Sequence, residues 1–148
     1  MESQSDPCDL ARFTSAQESV HAAALAELRA GRKRSHWMWF VFPQIDGLGL
    51  SWTTKRYSIK SLAEARRYLE HPVLGPRLRD CCQALLSLEG RTAHEIFSSP
   101  DDMKLKSSMT LFAAVSPPGS VFVRVLDKYY GGEQDPLTIQ LLRRLEKR

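Results

Sequence analysis

With 148 residues the chain has the size of one domain around one hydrophobic core, and its 43% apolar content is too high for a disordered polypeptide. The longest apolar run, Trp37–Pro43, is far short of the ~20 residues that cross a bilayer, Met1–Asp6 has neither part of a signal peptide, and the cysteines Cys8, Cys81 and Cys82 make a poor disulfide framework, so a reducing cytoplasm and no membrane partner are expected. The net charge of +4 is uneven: residues 1–28 carry −4, residues 29–67 carry +7 and residues 68–148 carry +1, so the basic excess sits in one stretch that either attracts phosphates and carboxylates or forms a solvated face.

Residues 1–5 read as a disordered tail of a single domain spanning 1–148. Asp6-Pro7 offers an N-cap followed by proline at the first helical position, predicting a helix over 7–16. Ser15-Ala16-Gln17-Glu18 has the spacing of a capping box. Val20, Ala24 and Leu28 recur at helical steps up to Gly31, which predicts a helix over 18–30. Residues 35–42 fit either a buried strand or a short buried helix, and in both cases belong at the centre of the core. A loop follows from Gln44 to Gly49, then a helix over 52–58. Ser61-Leu62-Ala63-Glu64 opens 62–70 as a capping box. Leu74, Leu78, Cys81, Cys82 and Leu85 predict a helix over 73–89, stopped by Gly90. A third box, Thr92 to Glu95, opens 92–97, and Ser99-Pro100-Asp101-Asp102 supplies a cap, a proline and two dipole-compatible acids for a helix over 100–114. Pro117-Pro118-Gly119 breaks the chain before helices over 120–130, ended by Gly131, and 136–147, opened by Asp135-Pro136. No alternating strand pattern, hairpin signal or repeat is present, so the expected fold is all-α, an array of eight or nine short helices.

Two segments concentrate chemistry. In Arg32–Gln44, three bases and His36 run into the block Trp37-Met38-Trp39-Phe40-Val41-Phe42. Indole faces stack on bases or hold cations, and lysine or arginine beside them holds a phosphate or carboxylate. Core filling by the aromatics, with the bases decorating a helix end, explains the same residues without a ligand. His36 is the candidate proton-transfer group, because its ordinary pKa lies near neutrality; a backbone-capping role fits it equally. In Asp101–Phe112, helical spacing puts Lys104, Ser107, Ser108 and Leu111 on one face. That stripe suits either a polar pocket wall or a partly buried structural face.

Other chemistries lack their residues. His21, His71 and His94 have no ligand spacing, and the adjacent Cys81 and Cys82 read as core, so no metal is expected. No phosphate-binding glycine loop, dinucleotide fingerprint or nucleophile elbow occurs, and no cofactor is expected. The basic stretch has no DNA-reading motif beside it, which argues against nucleic acid.

The motifs Asp9-Leu10-x-x-Phe13-x-x-x-Gln17, Lys33-x-Ser35-His36-Trp37-Met38-Trp39-Phe40-Val41-Phe42-Pro43-Gln44, His71-Pro72-Val73-Leu74-Gly75 and Ser107-Ser108-Met109-Thr110-Leu111-Phe112 span almost the whole chain. They resemble the bacterial family of unknown function sometimes labelled "calpastatin". The label does not suit the chain, since the eukaryotic inhibitor of that name is long and disordered and this sequence reads as folded. The resemblance implies a mainly α-helical domain. It ranks Lys33, Trp37, Trp39, Gln44, Lys104, Ser107 and Thr110 as ligand-binding candidates, with His36 as the catalytic one. His21 departs from the family, whose members more often carry tyrosine there. More remotely the chain is similar to small domains that hydrolyse N-glycosidic bonds of ADP-ribose-like compounds, although no single motif carries that likeness. Three readings follow: a binding module for an anionic or nucleotide-like small molecule, a hydrolase of an N-glycosidic or phosphate-bearing metabolite using His36 or Asp102, and a protein-interaction module with an apolar patch beside the bases.

Overall fold

The computed structural model describes residue 6 and residues 8–146, so Pro7 and the tail expected at 1–5 lie outside the described residues. The first helix, α1 (Ala11–Gln17), starts later than the proline signal suggested. The reason is local: the Asp6 carboxylate accepts the N–H groups of Leu10 and Ala11, so it closes the turn that leads into α1 and takes the helix's first amide instead of starting the helix at residue 7. Helix α2 (His21–Arg29) follows after Val20 with no side-chain cap. The Ser15–Glu18 box is therefore not formed; Ser15 lies inside α1.

The aromatic block resolves as a short helix, α3 (Met38–Val41), flanked by the fully buried Trp37 and Phe42. It is the element that brings the count among the described residues to ten. Residues 43–50 then run as a strap, with a lone parallel bridge between Ile45 and Ile59, to α4 (Trp52–Arg56).

The capping chemistry of the remaining helices is mostly that of the sequence. Ser61 caps α5 (Leu62–Glu70) by accepting the Glu64 N–H, but the Glu64 carboxylate accepts from Lys60 rather than from the cap residue. Helix α6 (Leu74–Ser87) ends before Gly90, because Leu88 turns into extended backbone. Helix α7 (Ala93–Phe97) has the full reciprocal box of Thr92 and Glu95. Helix α8 (Asp101–Ala114) has its acids in the first turn, but Ser99 is no cap: the carbonyls of Ser98 and Pro100 take the first amides. Helix α9 (Val121–Tyr130) stops at the left-handed Gly131, and Asp135 caps α10 (Pro136–Glu146) through the Thr138 N–H.

Helix α8 is the axis of the fold. Its residues 105–112 are buried throughout, and α5, α7, α9 and α10 pack around it. Cys81 and Cys82 are buried in α6 as small core residues; burial pushes the Cys81 thiol up to about 12. An aromatic chain of Phe13, Tyr68, Phe112 and Phe122 joins α1, α5, α8 and α9. The buried Gln17 amide donates to the Phe40 carbonyl and to Tyr68, which ties α3 to α1 and α5. No helix among the described residues is long and apolar enough to cross a membrane.

Candidate functional site

The loop between α2 and α3 is held from below by one carboxylate. Oε1 of Glu27 accepts the N–H groups of Arg34 (2.7 Å) and Ser35 (3.0 Å) and the indole N–H of Trp37 (2.9 Å), while Oε2 accepts the Ser35 hydroxyl. Burial works against the Glu27 charge, but these donors outweigh it and hold the carboxyl down at about 2. The loop is tied on its other side by the Lys33 N–H, which donates to the Ile96 carbonyl of α7 at 2.7 Å.

This anchoring aims Lys33 at the start of α8. Its ammonium donates to the Ser35 carbonyl, lies 3.0 Å from Oδ2 of Asp101 and stands 5.1 Å from the Trp37 ring centre. From α8 itself, Lys104 reaches Oδ1 of the same Asp101 at 3.5 Å, and its ammonium stands 5.1 Å from the ring of Trp39. Two lysines thus flank one carboxylate, and each lies over an indole. The arrangement is graded in exposure: the Lys33 side chain is 9% exposed, Asp101 19% and Lys104 25%, with Trp39 half-buried and Trp37 fully enclosed. Desolvation strengthens both the ion pairs and the cation–π contacts.

A second carboxylate adjoins the first. Oδ2 of Asp102 lies 3.5 Å from Nδ1 of the exposed His94, and its backbone carbonyl accepts the Tyr130 hydroxyl from α9. Burial, with the Asp102 charge beside it, pushes the Tyr130 hydroxyl well above its ordinary range, so it serves as a donor.

Of the residues the sequence singles out, the fold brings Lys33, Trp37, Trp39 and Lys104 together. His36 lies exposed on the loop. Gln44 is half-buried in the strap, where its carbonyl accepts the Ile59 N–H. Ser107 and Thr110 are buried, and their hydroxyls work inside the fold. Ser107 bonds to Asp135, and Thr110 accepts the Asp135 N–H while donating to the Lys106 carbonyl, so both seat the start of α10. Sequence reading missed Glu27 and Asp101. Glu27 carried a usable signal, since an acid in the last turn of a helix opposes the dipole and needs a compensating partner. Asp101 did not, because a first-turn acid is already explained by the dipole.

Comparison with known proteins adds kinship. Residues 7–142 match the model of a family described as protein of unknown function (DUF1810). The chain is also similar to a solved structure, the conserved hypothetical protein Rv1873 from Mycobacterium tuberculosis, with 54% identity over 93% of this chain and 99% of that one, and a TM-score of 0.91. None of the curated proteins matches the chain.

Proposed function

The chain belongs to this DUF1810 family of unknown function, and we propose that it binds an anionic, nucleotide-like small molecule at the Lys33–Asp101–Lys104 cluster. The observation that carries the reading is the pairing of two ammonium groups against one carboxylate, each ammonium over an indole. The sharing of one carboxylate by two ammonium groups favours a phosphate or carboxylate, which would exchange for Asp101 as the partner of Lys104, the more exposed lysine. The half-buried face of Trp39 offers a flat apolar surface to a ring on the same ligand. Glu27 and the Ile96 carbonyl hold the loop in place before ligand arrives, which lowers the ordering cost of binding.

The test is a thermal-shift screen against nucleotides, sugar phosphates and ADP-ribose, repeated with Lys33→Ala and Lys104→Ala. A ligand at 100 times its Kd adds about 2.7 kcal/mol of stability. A shift in the parent that both variants lose supports the site; a shift that both retain overturns it.

A hydrolytic reading draws on one further contact, the Asp102–His94 pair beside the cluster. A carboxylate beside an imidazole supplies the groups for proton transfer in cleaving an N-glycosidic or phosphate-bearing metabolite, once the 3.5 Å gap closes on ligand binding. Product analysis after incubation with such compounds, with Asp102→Asn as control, decides it: turnover lost in the variant supports hydrolysis, and binding without turnover leaves the binding function alone.

A further inference from the structure

The lysine cluster accounts for only part of the basic excess of residues 29–67. Lys55, Arg56 and Lys60 line a separate open cleft of about 500 Å3, together with Arg12, Ser61 and Glu64. That volume lies within the range of small-molecule sites.

The floor of the cleft is built and saturated. Arg12 and Glu64 form an ion pair at 2.5 Å with both side chains buried. The Arg12 guanidinium also donates to the carbonyls of Arg56 (2.7 Å), Ser58 (2.8 Å) and Asp9 (2.7 Å), which fastens α1 to the α4–α5 junction. A buried pair of this kind adds little net stability but fixes geometry. Lys60 is occupied as well, its ammonium lying on the Lys55 carbonyl (2.7 Å), the Ser58 hydroxyl (2.5 Å) and Asp46 (3.4 Å). Asp9 is the other acid on the wall.

Lys55 and Arg56 differ. Both are exposed, and among the described residues neither has a carboxylate within ion-pair distance. One turn earlier on the same face of α4 stands Trp52, 74% exposed, next to Leu50 at 87%. They are the two most exposed large apolar side chains among the described residues, yet the backbone beneath them is ordered by the Ser51 hydroxyl, which caps Thr54. The Arg56 guanidinium stands 5.9 Å from the Tyr57 ring centre, but folding does not require an indole to stand in water beside two cations that lack a carboxylate among the described residues.

We propose that this face is a second binding site, separate from the Lys33 cluster, for a nucleoside polyphosphate: the phosphates meet Lys55 and Arg56 at the mouth of the cleft, and the base stacks on Trp52. The adjacent lysine and arginine suit a multiply charged phosphate chain. An indole one helical turn away suits a planar base, because stacking on an exposed aromatic ring is tolerant of base identity.

The test uses ATP and inorganic tripolyphosphate as probes, with calorimetry and tryptophan fluorescence at low salt. ATP is expected to bind more tightly than tripolyphosphate and to quench the exposed Trp52. The double variant K55E/R56E should weaken both probes by more than tenfold. Trp52→Ala should leave tripolyphosphate binding in place and remove the preference for ATP, a loss of roughly tenfold. The effects of K55E/R56E on tripolyphosphate and of Trp52→Ala on the preference for ATP should persist unchanged in a Lys33→Ala background, which separates this site from the one proposed above. All four side chains replaced here can be checked for fold by circular dichroism. Absence of binding by both probes, equal binding by parent and K55E/R56E, or disappearance of the K55E/R56E and Trp52→Ala effects in the Lys33→Ala background each overturns the proposal.

Discussion

Glu27 is the residue on which the candidate site most directly rests, and its removal has a calculable cost. Three hydrogen bonds converge on Oε1 and a fourth reaches Oε2. The one that matters most comes from Trp37, whose side chain is fully buried, so its indole N–H has the least access to water when the acceptor is lost. An orphaned buried donor costs about 1–3 kcal/mol, and the three donors nearer to water cost about 0.5 kcal/mol each. Glu27→Ala is therefore expected to lose about 3 kcal/mol, a fall of ~10 °C in Tm for a chain of this length. Glu27→Gln keeps an oxygen at the position of Oε1 and removes the charge, so it should lose about half as much. The pH dependence follows from the carboxyl being held at about 2 against an ordinary value of 4.5. The folded carboxyl is the stronger acid, so its contribution is complete above pH 4.5 and fades as the pH falls toward 2. Urea denaturation of the parent and Glu27→Gln between pH 7 and pH 3 reads this directly. A gap that stays constant across that range, or an alanine cost below about 1 kcal/mol, would refute the role assigned to Glu27.

Three further outcomes follow from buried groups. Ser108 lies at the centre of α8 with its hydroxyl buried and without a partner among the described residues, so Ser108→Ala should raise stability by about 1 kcal/mol; a clear loss in denaturation would contradict it. His21 is pushed below its ordinary 6.5 by burial, with Arg77 adding to the effect. Its stabilising contribution is present above pH 6.5 and is lost as the pH falls through its lowered value, and an NMR titration placing His21 at or above 6.5 would contradict this. Cys81 and Cys82 are buried with their thiols pushed up by that burial, whereas Cys8 is half-exposed. A thiol reagent should label one cysteine in the native protein and three after unfolding; rapid native labelling of all three would contradict the packing.

Helix existence was legible because each helix carries its own evidence within a few residues. The Leu74–Leu85 periodicity of α6, the reciprocal Thr92–Glu95 box of α7 and Gly131 after α9 are local signals, and the fold uses all of them. The signals that failed were those a neighbour could take over. Ser15 has capping chemistry but sits within α1, and Ser99 loses its place to the carbonyls of Ser98 and Pro100. The block at 37–42 was undecidable for a different reason: a fully apolar segment shows no period, and its helical form is settled by tertiary partners such as the Gln17 amide on the Phe40 carbonyl.

The site was legible only in halves. Lys33 with its indoles and Lys104 with its acids were visible as separate clusters, but nothing in either half shows which residues of α8 would face the other. The two lysines of that helix make the difference clear. Lys106 is as buried as Lys33 and pairs with the exposed Glu133, while its neighbours Ser107 and Thr110 bond to Asp135. That side of α8 secures α10, and its polar groups have internal partners. Lys104 stands on the adjoining face, where its one ionic partner among the described residues, Asp101, is shared with Lys33. A carboxylate divided between two ammonium groups leaves charge that a ligand can neutralise, and a lysine matched by its own carboxylate leaves none. This charge balance, more than the presence of lysines and hydroxyls on one helix, is the reason the Lys33 side of α8 is the face proposed for binding.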